Sequence, residues 1–411
     1  MPGVGGAAST PAGARVASPP RRDPGRCGGR AGSVCCSGSG RAWYCPGVIR
    51  WRYGTVTGVR GGWRGCTELE VDVEAREGED AFSCRGLAYD GLVGAPEVGD
   101  RVLLNCNAIA KGLGTGGYAL VIAVPDRLPA DVDAPGHIVK ARYTPMQAMR
   151  LAVDEDDSPH RAAVEACEDL GGMPVVVADL HSALAPVLAG IHATAPGARV
   201  AYVMTDGGSL PAWFSRQLDQ LSDRLCTTVT AGQCFGGDLE ATNVHNALIA
   251  ARVVGGADIA IVAQGPGNLG TGTVWGFSGT AAGEAVNAAS VLGGRPVASL
   301  RISEGDARER HRGISHHSMT AYAKVALAPA DVPVPDELPA ELEGKIRRQL
   351  AELPERHRQI EVDCSGLVEA MEALPVKLST MGRGLDRDRV YFIAAAAAGR
   401  HAAQIAKSRD H

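Results

Sequence analysis

The chain has 411 residues with a formal net charge of −5, 45% hydrophobic and 4% aromatic residues, 53 Gly and 24 Pro. That length suits two or three domains, and the near balance of charge excludes a general neutraliser of nucleic-acid phosphates. The longest strongly apolar run, Tyr391 to Ala398, falls well short of the roughly 20 residues that cross a bilayer, so no helical membrane span is expected.

Residues 1–47 hold 11 Gly, six Pro and six Arg against a single acid. Such a segment cannot bury enough apolar surface to offset its chain entropy, and it reads as a disordered or spurious extension. Four of the 11 cysteines (Cys27, Cys35, Cys36, Cys45) fall there, without the paired spacing of a structural zinc site. The other seven are scattered from Cys66 to Cys364 and read as small buried hydrophobes of a reducing, cytoplasmic protein.

From 48 to 124 short β runs alternate with turns. In Thr67-Glu-Leu-Glu-Val-Asp-Val-Glu74 the apolar side chains of Leu69, Val71 and Val73 share one face, the period of a half-buried antiparallel strand. Five or six such runs in under eighty residues predict a small antiparallel β-barrel-like module. Pro125 to Pro135 reads as a linker.

Over 137–328 the period changes. Continuous aliphatic strands at Met173–Ala178, Arg199–Met204, Thr227–Ala231, Asp258–Ala263 and Pro296–Ile302 alternate with helices expected at Ala183–Ala193, Pro211–Leu225, Asp238–Val254 and Thr280–Leu292. That alternation predicts an α/β domain, a mostly parallel sheet in a three-layer sandwich. After a Pro-rich break at Pro329–Pro339, residues 340–411 supply further strands at Gln359–Asp363 and Val376–Thr380 and a closing helix Val390–Ala406, expected to complete the same domain.

Ligands of open parallel sheets bind beyond the carboxyl ends of the strands. Those ends carry Asp179 and His181, then Asp206, then Cys234 and Asp238, then the run Gly265, Gly267, Gly270, Thr271 and Thr273, and finally Glu304 with His311, Arg312, His316 and His317. The glycine-rich run offers backbone amides and hydroxyls suited to an anion, with Arg312 as a further anion contact. Asp206, Asp238, His311 and His316 are the candidate acid–base residues. Asp179, His181, Glu304 and His317 are candidate ligands for a divalent metal ion. Cys234 is the one plausible nucleophilic cysteine, though no partner histidine is evident.

Several motifs recur in one order: Gly112-Leu-Gly-Thr-Gly-Gly-Tyr118, Gly136 to Pro145, Tyr202-Val-Met-Thr-Asp-Gly207, Phe235-Gly-Gly-Asp-Leu-Glu240, Gly265-Pro-Gly267, Arg308 to His317 and Ser379-Thr-Met-Gly-Arg383. On these the chain from about Val48 onward resembles an uncharacterised domain-of-unknown-function family of actinobacterial and other Gram-positive bacterial proteins. The resemblance implies a bacterial cytoplasmic protein and assigns no activity. The residues themselves lead to a hydrolase or group transferase acting on a small anionic molecule, phosphorylated molecules included. The alternative is a non-catalytic small-ligand sensor or assembly protein. Neither membrane nor nucleic acid is an expected partner, and a homo-oligomer is left open.

Overall fold

Leu69, Val71 and Val73 do lie buried on one face of a strand, with exposed acids between them. The structure, a computed structural model, describes residues 48–113 and 117–409; the extension expected over 1–47 lies outside the described residues. Strands β1 (Trp51–Trp63), β2 (Cys66–Val73), β3 (Phe82–Tyr89), β4 (Arg101–Asn105) and β5 (Tyr118–Ala123) close into a barrel in the order β1-β2-β3-β5-β4. Two departures from the expected module stand out. The runs anticipated as separate strands merge into the single 13-residue β1, which bends at register shifts after Val56 and Val59. One of the ladders, β3 with β5, is parallel.

A short hairpin, β6 (Ile138–Lys140) and β7 (Ala148–Arg150), leads into the α/β part. There β8 (Pro174–Val177), β9 (Val200–Thr205), β10 (Thr227–Ala231), β11 (Leu239–Ala241), β12 (Ile259–Gln264), β13 (Arg295–Ala298), β16 (Asp331–Pro335) and β17 (Arg358–Val362) form one parallel sheet. Its order is β11-β10-β9-β12-β8-β13-β16-β17. Between β13 and β16 lies a separate two-stranded pair, β14 (Ile302–Ser303) and β15 (Gly313–Ile314). Helices 244–253, 281–291 and 340–351 cover one face of the sheet, and helices 184–194, 367–372 and 389–409 cover the other. This is the three-layer α/β arrangement.

Several local expectations fail for identifiable reasons. The helix expected at Pro211–Leu225 breaks into short turns around Trp213, and its one α segment, Arg216–Gln220, is capped by Ser215. The helix expected from Asp238 starts only at Val244, after β11, with the Asn243 side chain accepting from Asn246 N. The expected strand at Val376–Thr380 is absent. The Pro-rich break conceals β16. There Asp336 N donates to Val362 O and Arg358 N to Ala330 O, so even-numbered residues bond towards β17. Pro333 and Pro335 therefore face β13, with which β16 pairs at a single position, and their missing N–H groups cost no ladder bond to β17.

Trp213 docks the barrel on the sheet. A Cβ added at Gly65 or Gly236 would fall within 2.7 Å of its ring, so only glycine admits it. Trp63 Nε1 donates to Trp213 O at 2.5 Å, and Arg216 joins Tyr118 at a buried Glu68 carboxylate. Desolvation works against that charge, yet the hydrogen bonds from Tyr118 and Arg216 hold the carboxyl below its usual value.

On the opposite face, helices 184–194 and 389–409 touch backbone to backbone. A Cβ at Gly190 would lie 1.9 Å from Ala396 O, and one at Gly399 2.0 Å from Val187 O. Gly190→Ala is therefore expected to cost on the order of 3 kcal/mol by forcing the helices apart. The check is urea unfolding, with the midpoint lowered at unchanged slope; a midpoint equal to the parent's would show that the close approach is dispensable.

Candidate functional site

β8 and β12 are neighbours, but the chain leaves them in opposite directions. From β8 it enters helix 184–194 on one face of the sheet, and from β12 helix 281–291 on the other. Loops diverging from adjacent carboxyl ends open a crevice at the topological switch point, where open α/β sheets bind ligands. Asp179 follows β8, and Gln264 ends β12.

Gln264 Nε2 donates to Asp179 O at 2.7 Å and to Asn268 Oδ1 at 3.1 Å; Ser278 Oγ donates to the same Asn268 oxygen at 2.8 Å. Asp179 is buried, which raises its carboxyl above the usual range against the pull of Arg301. Among the described residues six buried side-chain nitrogen or oxygen atoms lack a hydrogen-bond partner, and four belong here: Asp179 Oδ2, Gln264 Oε1, His316 Nε2 and His317 Nδ1. Buried polar atoms are usually satisfied by protein, water or an ion, so four close together mark a polar pocket able to take one of the latter two.

The histidines reach the crevice on the segment after β13. The β14/β15 pair pins both ends of the loop between them, and Ser315 then caps a helix that opens with His316 and His317. Ser315 Oγ also meets His311 Nδ1 at 2.7 Å. The helix runs on into a π-helical turn at Ala321–Val325, a rare form common at functional sites. The ring centroids of His311, His316 and His317 lie 4.4–4.8 Å apart, and one ligand atom from each falls within 4.8 Å of the others. The Phe277 ring stacks on His317 at 3.8 Å, and Gly279 fills the space between Phe277 and Asp179. Burial, then the nearby Arg301 and Arg308, push His311 down to about 3; burial and the two neighbouring rings push His317 down to about 3. His316 is lowered too, by burial and Arg310. These environments all favour the neutral ring, the form that ligates metal.

Beneath them lies an arginine-rich network. Asp306 Oδ2 accepts from Arg308 at 2.8 Å, Arg301 at 3.2 Å and Arg383 at 3.3 Å. Asp388 takes Arg383 Nε at 2.8 Å and Ser303 Oγ at 2.7 Å. Desolvation opposes the Asp306 charge, but Arg308 and its neighbours hold that carboxyl well below the ordinary range. Three guanidiniums against two carboxylates leave a positive field beside the crevice.

The structure brings His311, His316 and His317 together, sets Asp179 across Gly279 and Phe277 from them, and separates the other candidates. Asp206 lies on the same edge but exposed, beyond β12, where its Oδ2 accepts from Gln233 N at 2.9 Å. Asp238 is at the wrong end of the sheet. Its backbone N donates to Thr228 O and its carboxylate accepts from Thr228 N, at the amino end of β10, while Arg64 of the barrel pairs with it at 2.6 Å. His181 has both ring nitrogens engaged, by Tyr202 at 2.8 Å and Ser215 at 2.7 Å, and is no metal ligand. Glu304 accepts from Val390 N at the start of the closing helix. Arg312 turns towards Glu341 instead of the crevice.

The glycine run is not an anion cradle either. Gly265 packs against the Ser209 backbone, and Gly267 takes a positive φ in the following turn. Gly270 bridges to Phe277, and Thr271 and Thr273 spend their hydroxyls on Gly276. Helix 281–291 begins several residues later. Cys234 is buried and its thiol is pushed far up by desolvation, which removes it as a nucleophile.

Gln264, Phe277, Arg301 and Arg383 were missed. A lone polar residue ending the aliphatic run Ile259–Ala263, and an arginine ending Val297–Leu300, were the available signals. Lys140 was missed too: fully buried, its Nζ donates to the carbonyls of Cys234, Gly232 and Ala241 at 2.7, 2.8 and 3.3 Å.

His181 supports a pH prediction. Burial pushes its pKa down to about 4, below the roughly 6.5 of an unfolded chain, so the unfolded state takes up the proton first as pH falls. Its contribution is intact above pH 6.5 and lost between pH 6.5 and 4, on the order of 3 kcal/mol in all. Unfolding of the parent and His181→Gln at pH 7 and pH 4.5 should show a smaller acid loss in the variant; equal losses would refute the assignment.

Residues 85–399 match a family model described as a protein of unknown function, DUF3866. No curated protein matches the chain. A solved structure, the D-arabinose dehydrogenase from Sulfolobus solfataricus, aligns over 78% of this chain and 85% of its own at 11% identity. Its TM-score of 0.16 is too low to bear on fold or chemistry.

Proposed function

Because this chain belongs to the DUF3866 family of proteins of unknown function, which lends no chemistry to its members, we propose from the site alone that it is a divalent-metal-dependent hydrolase or group transferase acting on a small anionic molecule at the switch-point crevice. The observation that carries this reading is the trio of neutral histidines, with ligand atoms within 4.8 Å of one another, beside the unpartnered Asp179 and Gln264 oxygens. His311, His316 and His317 would hold the ion, the three-ligand set of catalytic sites that keep a position open. When bound, such an ion polarises an anionic oxygen and acidifies its water. Asp179, with its raised carboxyl, is suited to proton transfer near neutrality. Arg301 and Arg308 supply the field that draws the anion in, and Gln264 Oε1 accepts a hydrogen bond from a substrate hydroxyl or from water. An actinobacterial or other Gram-positive source fits the preference for Arg over Lys, and a cytoplasmic setting fits seven free cysteines among the described residues.

The sensor alternative also has an observation in its favour. The space lined by Asp179, Gln264, Ser278 and Gly279 is about 10 Å³, room for roughly one water. Turnover therefore requires the loops after β8 and β12 to part. Chelator-stripped protein, reloaded with Mn²⁺ or Zn²⁺, should be assayed on panels of phosphate and carboxylate esters. Metal-dependent turnover that His316→Ala abolishes, and that Asp179→Asn lowers about 10²–10⁴-fold with metal content unchanged, supports the enzyme. Metal bound stoichiometrically without turnover favours the sensor. Absence of metal binding rejects both.

A further inference from the structure

The barrel and the carboxyl edge of the sheet line a second cavity, open on one side, of about 640 Å³. We propose that it is a binding site for the planar, uncharged part of a small organic molecule, separate from the metal reading. Its volume lies within the roughly 300–1,000 Å³ of small-molecule pockets. Among its described lining residues none is charged, in contrast to the histidine and arginine crevice. The chain has only five Trp, eight Tyr and five Phe, yet Trp51, Tyr89, Tyr118, Phe214 and Phe235 all line this one space. Such a concentration of aromatic side chains in an aromatic-poor protein gives the cavity an apolar, ring-lined wall suited to a flat ligand.

The walls are formed in advance. Ser209 N donates to Pro266 O at 2.7 Å, Phe235 N to Leu210 O at 3.0 Å and Ala212 N to Phe235 O at 2.8 Å, joining the loops after β9, β10 and β12 into one floor. Gly208 lies so close to Gly265 that an added Cβ would sit 2.1 Å from its carbonyl oxygen. The side wall is the turn between β6 and β7, where Ala141 and Tyr143 hold left-handed backbone at φ 48° and 61°. Non-glycine residues adopt that region at a cost, and such strain gathers at ligand sites. Thr144 Oγ1 donates to Ala141 O at 2.7 Å and Arg142 N to Gln233 Oε1 at 3.0 Å, which hold the strained turn in place. A concave, preorganised pocket contributed by separate chain segments suits a small molecule better than a flat protein partner.

The test uses the full chain and the probe 8-anilinonaphthalene-1-sulfonate. Metal-stripped protein should bind one equivalent saturably, with quenching of tryptophan emission. Leu210→Glu, in the floor, and Trp51→Ala, at a side chain 42% exposed and outside the core, should each weaken binding at least tenfold with an unchanged circular dichroism spectrum. No saturable binding, or full affinity in both variants, overturns the proposal. So does a dimer in sedimentation that Leu210→Glu dissociates, which would assign the cavity to a second copy. Because the stripped protein is used, failure here leaves the metal reading intact, and failure of the metal reading leaves this one intact.

Discussion

Replacing His317 with alanine should abolish the thermal stabilisation that Zn²⁺ or Mn²⁺ confers on the parent chain. A ligand that binds only the folded state adds about 2.7 kcal/mol at a hundred times its dissociation constant. For a protein of this size that corresponds to a rise of several degrees in midpoint. The His317 ring is stacked on Phe277, while its Nδ1 is buried without a partner. Loss of one of three protein ligands leaves two, too few to compete with water for the ion. The metal-free variant should differ less from the metal-free parent, because the substitution also removes a buried nitrogen that has no hydrogen bond. Differential scanning fluorimetry with and without metal makes the comparison directly. A variant stabilised as strongly as the parent would remove His317 from the ligand set and with it the metal reading.

The reason this site was partly legible, and partly not, lies in the range of the interactions that build it. Val175–Val177 and Ile259–Ala263 are buried on both faces, so their continuous aliphatic character shows as strands, and the residues just after them mark the sheet edge. Asp179 and the histidine loop follow from that alone. Strand order does not, because it depends on pairings between distant segments. Asp238 illustrates the loss: Gly232 and Gly236, at φ 69° and 92°, let the chain double back along β10 and deliver Asp238 to the amino end. His181 looked like a ligand because its partners, Tyr202 and Ser215, are 21 and 34 residues away. Lys140 carries no local signal, since nothing near it in the sequence shows that carbonyls from the loop after β10 and from the end of β11 converge on it.

That convergence leads to the largest stability effect expected in the molecule. Lys140→Met keeps the length of the side chain and removes its charge and donors. The carbonyls of Gly232, Cys234 and Ala241 lose their partner, and Glu240, 3.3 Å away, loses its closer counter-ion and keeps only Arg150 at 4.0 Å. Breaking a buried pair from one side costs about 3–5 kcal/mol, because the remaining charge stays buried. Glu240 already has its carboxyl raised, first by burial and against the pull of Lys140, although Thr230 and Gly236 still donate to it. Without Lys140 that rise grows. A carboxyl whose folded pKa exceeds its unfolded value binds more protons when folded, so stability falls as pH climbs from the unfolded value through the folded one. The deficit of Lys140→Met should therefore be largest at pH 7 and shrink towards pH 5, and adding Glu240→Gln should recover part of it at pH 7. The same variant should also loosen the floor carrying Phe235, weakening binding of the naphthalene probe even where the protein remains folded. Urea unfolding at both pH values decides the matter: a deficit that is unchanged with pH, or no recovery in the double variant, would mean that the lysine serves the three carbonyls alone and that Glu240 is held by Thr230 and Gly236 without it.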